Sequence, residues 1–422
     1  MKRLIILFFI FQASLFTLTT AAQHGQYVGG DISMLPQYEA YSSGYLDGNG
    51  KKIPDLLTWF AKDCGWNTFR VRLFVNPTDP KHEGVVQNLE YVKKLGKRIK
   101  DAGAQFCLDF HYSDTWADPS NQHLPSAWSD CKTADQKAEK VYSYTKETLA
   151  ELAAADACPD LVQVGNEITS AIVDIKRSSN PQDFKKVVER GCDAVREACP
   201  QAKIIIHIER PQNTANVVTF YDALDQSKYD IIGLSYYPIW HGTLDDLAKT
   251  LKQLKTSFPA KKVQIVETAY NFQWWPTSGV TYDTRSTWAC SADGQYKFVK
   301  DLIAKLAEYD NVNGLYYWFP EEAGCGDGAN WTTYQGVIIG SWLNRGLWWE
   351  DETKTGHWPV KASEGMVAYL MRTFLDPNAA SISVPTVSKP ESNAIYNLNG
   401  QRLNAAPQHG VYIKNGKKIV KK

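Results

Sequence analysis

Eight short apolar runs, each followed by an amphipathic stretch, do most to limit what this chain can fold into. They are Tyr27–Ile32, Thr68–Val75, Gln105–Phe110, Leu161–Gly165, Lys203–Ile208, Ile231–Tyr237, Val263–Val266 and Gly314–Phe319. Runs that are apolar on both faces belong in a parallel sheet covered by helices. Between them Leu244, Leu247, Leu251, Leu254 and Phe258 recur at steps of three and four. Val141, Tyr144, Thr148 and Leu152 do the same, as do Phe298, Leu302, Leu306 and Tyr309. That spacing predicts helices with one buried stripe. Eight such units over roughly 350 residues predict an α/β fold of the TIM-barrel type, (β/α)8. A doubly wound sheet is the competing layout, but no Gly-rich phosphate loop follows the first run.

Barrel enzymes place their chemistry where strands end. Val162-Gln163-Val164-Gly165-Asn166-Glu167-Ile168 alternates apolar residues and then presents an amide and a carboxylate. Val263-Gln264-Ile265-Val266-Glu267 repeats the pattern. Acids at the ends of two different strands suit glycoside hydrolysis, which needs a pair of carboxyls flanking one bond. Run two offers Arg70 and Arg72 on one face, because strand side chains alternate. After run three comes Asp109-Phe110-His111-Tyr112-Ser113-Asp114-Thr115-Trp116-Ala117-Asp118-Pro119, and run five ends in His207-Ile208-Glu209. Run six gives Ser235-Tyr236-Tyr237-Pro238 with Trp240 following, and run eight gives Trp318. Arg70 could simply pair with Asp31, yet its place two residues before another inward Arg favours the site. His111 and His207 read equally well as satisfied core histidines. Asp109, a full pleat deeper than His111, reads as structural, and Glu209 as a partner for Arg210.

Net charge is zero and no basic stripe is present, so nucleic acid is not an expected partner. The 14 Trp and 22 Tyr exceed what a core requires. Eleven of those Trp (116, 128, 240, 274, 275, 288, 318, 331, 342, 348 and 349) lie beyond strand ends. Loop packing accounts for about half, and the remainder suit a groove that stacks sugar rings. Lys2-Arg3 precede an apolar run from Leu4 to Leu18, with small residues at Thr19-Thr20-Ala21-Ala22. This predicts a signal peptide over 1–22, too short for a membrane span, and an exported protein. Of eight Cys, Cys64, Cys107 and Cys158 sit in or beside apolar runs and read as core fillers. Cys192 and Cys199 are two turns apart on one helix and cannot bridge there. Cys290 and Cys325, both in long Gly-containing loops, are the pair expected to form a disulfide.

The barrel is expected to occupy 23–375, followed by a Pro-, Ser- and Ala-rich linker over 376–392. The tail, 393–422, carries Asn399-Gly400 and Asn415-Gly416 between alternating residues, which predicts a short β-hairpin appendage. It resembles C-terminal β-modules on exported proteins of some Gram-negative bacteria, implying the periplasm, cell surface or extracellular space.

The strand ends resemble glycoside hydrolase family 53, the endo-β-1,4-galactanases. The resemblance runs from about Gly29 to Phe374. Its motifs are Gly30-Asp31-Ile32-Ser33, Asn67-Thr68-Phe69-Arg70-Val71-Arg72 leading to Val75-Asn76-Pro77, the Asp109-to-Pro119 stretch, Gly165-Asn166-Glu167-Ile168 and Val266-Glu267-Thr268. It implies a retaining mechanism on the β-1,4-galactan side chains of pectin, with Glu167 as acid/base and Glu267 as nucleophile. Arg70 should keep Glu267 ionised while Glu167 stays protonated. By family position Asn166 bonds the sugar 2-hydroxyl, His111 and Tyr237 line the reacting subsite, His207 lies near the acid/base and Trp318 forms the floor. Trp116, Asp118 and Trp240 complete the expected substrate contacts. Where many bacterial members carry an acidic calcium loop, this chain has Thr268-Ala269-Tyr270-Asn271-Phe272-Gln273-Trp274-Trp275. No metal or other cofactor is therefore expected, and Cys290 and Cys325 resemble the disulfide of metal-free relatives. The family's Glu after the strand-eight Trp is Phe319 here, with Glu321 and Glu322 displaced. The expected partner is the polysaccharide alone, and the expected state a monomer. Rival readings are a related barrel hydrolase acting on mannan, xylan or cellulose, and an inactive sugar-binding barrel. Possession of both Glu167 and Glu267 weighs against the second.

Overall fold

The computed structural model describes residues 26–324 apart from 42–43, 48–49, 78–83, 273–274 and 277–278. Beyond 324 it describes 331–334, 337–340, 345–349, 360–362, 366–381, 395–396, 402–403, 407, 410–414 and 417–421. The signal region 1–22, most of the linker and Cys325 lie outside the described residues, so the expected Cys290–Cys325 pairing does too.

All eight predicted runs are strands: β1 (Tyr27–Asp31), β2 (Thr68–Leu73), β3 (Gln105–Phe110), β4 (Leu161–Val164), β5 (Lys203–Ile208), β6 (Ile231–Ser235), β7 (Lys262–Thr268) and β8 (Val312–Trp318). Each pairs in parallel with its neighbours, and β1 pairs with both β2 and β8, closing the barrel. Around them lie α1 (Leu56–Lys62), α2 (Leu89–Asp101), α3 (Ala134–Ala154), α4 (Pro181–Ala198), α5 (Thr214–Asp222), α6 (Leu244–Ser257), α7 (Ala292–Leu306) and α8 (Met366–Met371). Their starts are fixed locally. Thr133 and Gln136 form a reciprocal cap on α3, and Thr243 and Asp246 do the same on α6. The leucine stripe of α6 buries Leu247, Leu251 and Leu254 as its spacing predicts. Gly191 lets α4 approach β4 closely, since a Cβ there would lie 2.6 Å from Val164 Cγ1.

Strand parity sorts the barrel's interior. Cys107, Leu161, Ile205, Ile231, Val266 and Tyr316 form a small buried cluster, one side chain from each of six strands. Two residues further along β3, β4 and β5, and four further along β6, the same face carries Asp109, Gln163, His207 and Ser235, all fully buried. The interior thus turns from apolar to polar towards the strand C-termini. Strict alternation would send Glu267 away from Val266's face. Register shifts between β6 and β7, and between β7 and β8, bring Glu267 opposite Ser235 instead.

In the tail, Ile395–Tyr396, Arg402–Leu403, Gly410–Lys414 and Lys417–Lys421 form one antiparallel sheet. Lys414 pairs with Lys417, the register expected of the predicted hairpin, and Asn415-Gly416 between them lies outside the described residues. Tyr396 pairs with Arg402, and Asn399-Gly400 between them lies outside the described residues. The tail is therefore a four-stranded sheet that contains the expected hairpin. Among the described residues no helix is long and apolar enough to cross a membrane.

Candidate active site

Arg70 is the hub at the polar end of the barrel. From β2 it reaches Asp31 of β1 at 2.7 Å, Asp109 of β3 at 2.8 Å and Glu267 of β7 at 3.0 Å. It also donates to Asn166 Oδ1 at 2.8 Å and Gln163 Oε1 at 3.2 Å. Burial disfavours its charge, yet Asp109, Glu267 and Asp31 together hold the guanidinium above its ordinary range. The pairing with Asp31 and the place in the site are thus parts of one network.

Glu267 accepts a hydrogen bond from the Tyr237 hydroxyl at 3.0 Å. Burial pushes its carboxyl up to about 7; Arg70 opposes that rise, while Asp31 and Asp109 add to it. Arg70 therefore favours the ionised form, as the sequence led us to expect, but does not cancel the effect of burial. Glu167 stands beside it with different company. Ser235 Oγ donates to Glu167 Oε1 at 2.6 Å. Burial raises the Glu167 carboxyl well above its ordinary value, Glu267 and Glu209 raise it further, and the Ser235 bond opposes them. Among the described residues no cation pairs with it. Of the two acids, Glu267 is the one that gives up its proton first, and repulsion between them favours a pair that holds a single proton.

The backbone aims both groups at the same mouth. Gly165 has φ +82° and Glu167 has φ +46°, both left-handed. A non-glycine residue held there carries strain of about 1–3 kcal/mol. It turns the Glu167 side chain back over the barrel, where β6 delivers Ser235 between the two acids.

Around this pair the other expected residues divide. His207 lies 2.8 Å from Ser235 Oγ through Nε2 and 3.0 Å from Asn166 Oδ1 through Nδ1. Burial and then Arg70 push its imidazole well below the ordinary range, so it is neutral. Asn166 donates through Nδ2 to the Ala117 carbonyl at 2.7 Å, which anchors the loop after β3. His111 grips that loop from below, with Nε2 3.1 Å from Asp109 and Nδ1 accepting from the Ala117 N–H at 3.0 Å. Asp118 caps its own turn by accepting from the Ser120 N–H at 2.7 Å. Its side chain serves the loop.

Aromatic rings form the walls. Trp318 stacks on Phe319 at 3.9 Å between centroids, and Trp116 lies 6.1 Å from Trp318. The buried Arg72 guanidinium sits over both Trp116 (4.2 Å) and Phe319 (4.9 Å). The Trp116 indole N–H has no hydrogen-bond partner among the described residues. Trp240 packs against Tyr237 at 5.2 Å and donates to the Gly279 carbonyl at 2.6 Å. Trp128, Trp288 and Trp348, by contrast, are buried core residues. Glu321 and Glu322 point into the fold, accepting from the backbone N–H groups of Met34 and Gly346 respectively, each at 3.0 Å. Glu209 accepts from Thr169 and faces Arg210 at 3.5 Å, which matches its reading as a structural partner.

Sequence reasoning met Ser235 and Gln163 but gave neither a role in the site. The second carried a signal, a polar residue inside an apolar run; a serine at a strand end carries almost none.

The Glycosyl hydrolase family 53 pattern matches residues 27–406. An arabinogalactan endo-beta-1,4-galactanase of Cellvibrio japonicus is 34% identical over 70% of this chain and 80% of its own length. An endo-beta-1,4-galactanase of Bacillus subtilis is 32% identical over 69% of each chain. The GH53 catalytic domain of Ignisphaera aggregans superposes with a TM-score of 0.70 at 29% identity, covering 83% of this chain and 97% of that one. With a match across most of its length and a closed barrel that brings the strand-four and strand-seven acids to one mouth, the chain belongs to glycosyl hydrolase family 53.

Proposed function

We propose that the protein is an exported, retaining endo-β-1,4-galactanase acting on the galactan and arabinogalactan I side chains of pectin. The observation that carries this is the unequal setting of two acids at one mouth. Glu267 has a guanidinium and a phenol to stabilise its anion, whereas Glu167 has anionic neighbours and one hydroxyl. The galactanase names of the relatives supply the substrate.

In the first step Glu267 attacks the anomeric carbon while Glu167 passes its proton to the departing oxygen. Loss of that proton is eased because the negative charge on Glu267 is consumed as the ester forms. Glu167, now the base, takes a proton from water, which attacks the same carbon and releases Glu267. Tyr237 and Arg70 hold the nucleophile, while Ser235 and His207 hold the acid/base. Asn166 retains an amide hydrogen for the sugar 2-hydroxyl, and Trp116, Trp240 and Trp318 offer faces for sugar rings. The predicted leader over 1–22 supports export.

Purified protein incubated with β-1,4-galactan, mannan, xylan and cellulose tests the substrate. Short galacto-oligosaccharides whose new reducing ends first appear as the β-anomer by proton NMR are expected. Galactan left intact while another polysaccharide is cut would sink the substrate assignment, and a first-formed α-anomer the mechanism. Glu267→Ala should lower turnover by at least about 10³-fold, with added formate or azide partly restoring it.

A further inference from the structure

We propose that Cys158 and Cys199 close a disulfide that ties the strand bearing Glu167 to the helix and strand that follow it. Both cysteines lie at the end of the barrel away from the two acids. Cys158 is in the turn between α3 and β4, and Cys199 caps the C-terminus of α4 just before β5. Their sulfurs are 3.2 Å apart. A covalent S–S bond is about 2 Å long, so about 1 Å of further approach, within reach of small side-chain rotations, joins them.

The backbone holds the two turns together without the bond. Lys203 N–H donates to the Asp160 carbonyl at 3.0 Å, and Ala202 N–H to the Cys199 carbonyl at 2.9 Å. The Asp160 carboxylate is itself fixed by Lys100 at 2.7 Å and by the Phe106 N–H at 2.8 Å. The thiols are thus presented to each other by a framework already built, so closure costs little order. Cys158 packs against the core, as its reading from the sequence has it, and the proposed bond gives it a covalent partner as well. The obstacle seen for Cys199 within its own helix does not apply, because its partner lies on another element.

The reaction needs an external disulfide. Cys158, the more exposed sulfur, attacks it as the thiolate and forms a mixed disulfide, expelling one thiol. Cys199, whose thiol burial and the neighbouring sulfur push up to about 12, then loses its proton and attacks Cys158 Sγ, expelling the second. Two electrons and two protons leave the protein and appear in two external thiols. The bond spans a sequence separation of 41 residues that includes all of β4, Glu167 and α4. It restricts the unfolded chain and leaves the site's geometry alone.

The test is independent of substrate. The full-length protein is equilibrated with oxidised glutathione, alkylated under denaturing conditions and digested with trypsin, which separates Cys192 from Cys199. Peptides 147–176 and 197–203 should appear as one linked species, and the thermal midpoint should rise by several degrees relative to the reduced protein. In Cys158→Ser and Cys199→Ala variants the rise in midpoint on oxidation should be several degrees smaller than in the parent, whatever a Cys290–Cys325 bond adds to both, with galactan turnover within twofold of the parent. Alkyl label on both peptides after oxidation, or glutathione remaining on Cys158, would overturn the bond. A linked protein melting no higher than the reduced one would overturn the clamp.

Discussion

Two hydroxyls divide the work of holding the acids, and each leaves a separate mark on the pH profile. In the proposed mechanism activity requires Glu267 ionised and Glu167 protonated, so the acidic limb of kcat/KM belongs mainly to the first and the alkaline limb to the second. With the Glu267 carboxyl raised to about 7, half-maximal activity on the acidic side should fall near neutrality. The Tyr237 bond lowers the Glu267 value, so Tyr237→Phe raises it and moves the acidic limb to higher pH. The Ser235 bond lowers the Glu167 value, so Ser235→Ala moves the alkaline limb to higher pH. Tyr237→Phe removes one hydrogen bond, at about 1 kcal/mol, and should cost roughly fivefold in kcat; Ser235→Ala also removes the His207 contact and should cost more. Profiles in which both variants move the same limb would refute this division. Glu167 and Glu267 were legible because charged residues at the ends of apolar runs are rare, and Arg70 because a charge inside such a run is rarer still. Ser235 was not, because its role depends on which strand lies beside it.

At the scale of elements, the strand ends decide where side chains point. Alternation placed Arg70, Asp109, Gln163 and His207 on one face, but it fails at Glu267, where register shifts reset the parity. A pattern of period two cannot reveal an irregularity that its own neighbours impose. The turn at Gly165 is the corresponding device on β4. At φ +82° a β-carbon is strained, and one built there would lie 2.6 Å from Ile168 Cγ2. Gly165→Ala should cost about 1–3 kcal/mol of stability, read as a lower thermal midpoint. Turnover should fall further than that destabilisation explains, because Glu167 swings with the turn. A variant with lowered midpoint and parental kcat would show that the turn shapes stability alone. The wall formed by Trp116, Arg72 and Phe319 invites a different change. Lys in place of Arg72 keeps the charge but loses the flat guanidinium that sits over both rings. Arg72→Lys should raise KM about fivefold, in keeping with one cation–π contact, and leave kcat near the parent's.

For the whole molecule, counting strand–helix units was enough to predict closure, because a parallel sheet of eight twisted strands flanked by helices has one compact way to hide both edges. The tail was less legible, since Asn-Gly pairs indicate turns without indicating what the strands pair with. Its four strands pair with one another, while the barrel closes through β1 and β8 without them. We take 393–422 as an appendage joined by the segment 376–392, with the barrel before it as the catalytic unit. Ending the chain after Ser381 should therefore keep kcat/KM on galactan within about twofold and leave the pH profile in place, because no residue of the Arg70 network is removed. The buried Tyr412 ring supplies the counterargument. Had its burial come from packing against the barrel, the shortened chain would expose apolar surface, melt lower by several degrees and lose activity in proportion. Unfolding of the shortened and full-length chains, followed by tryptophan fluorescence, separates these cases. Coincident midpoints mean that the tail buries Tyr412 within its own sheet, and divergent ones that it belongs to the catalytic unit.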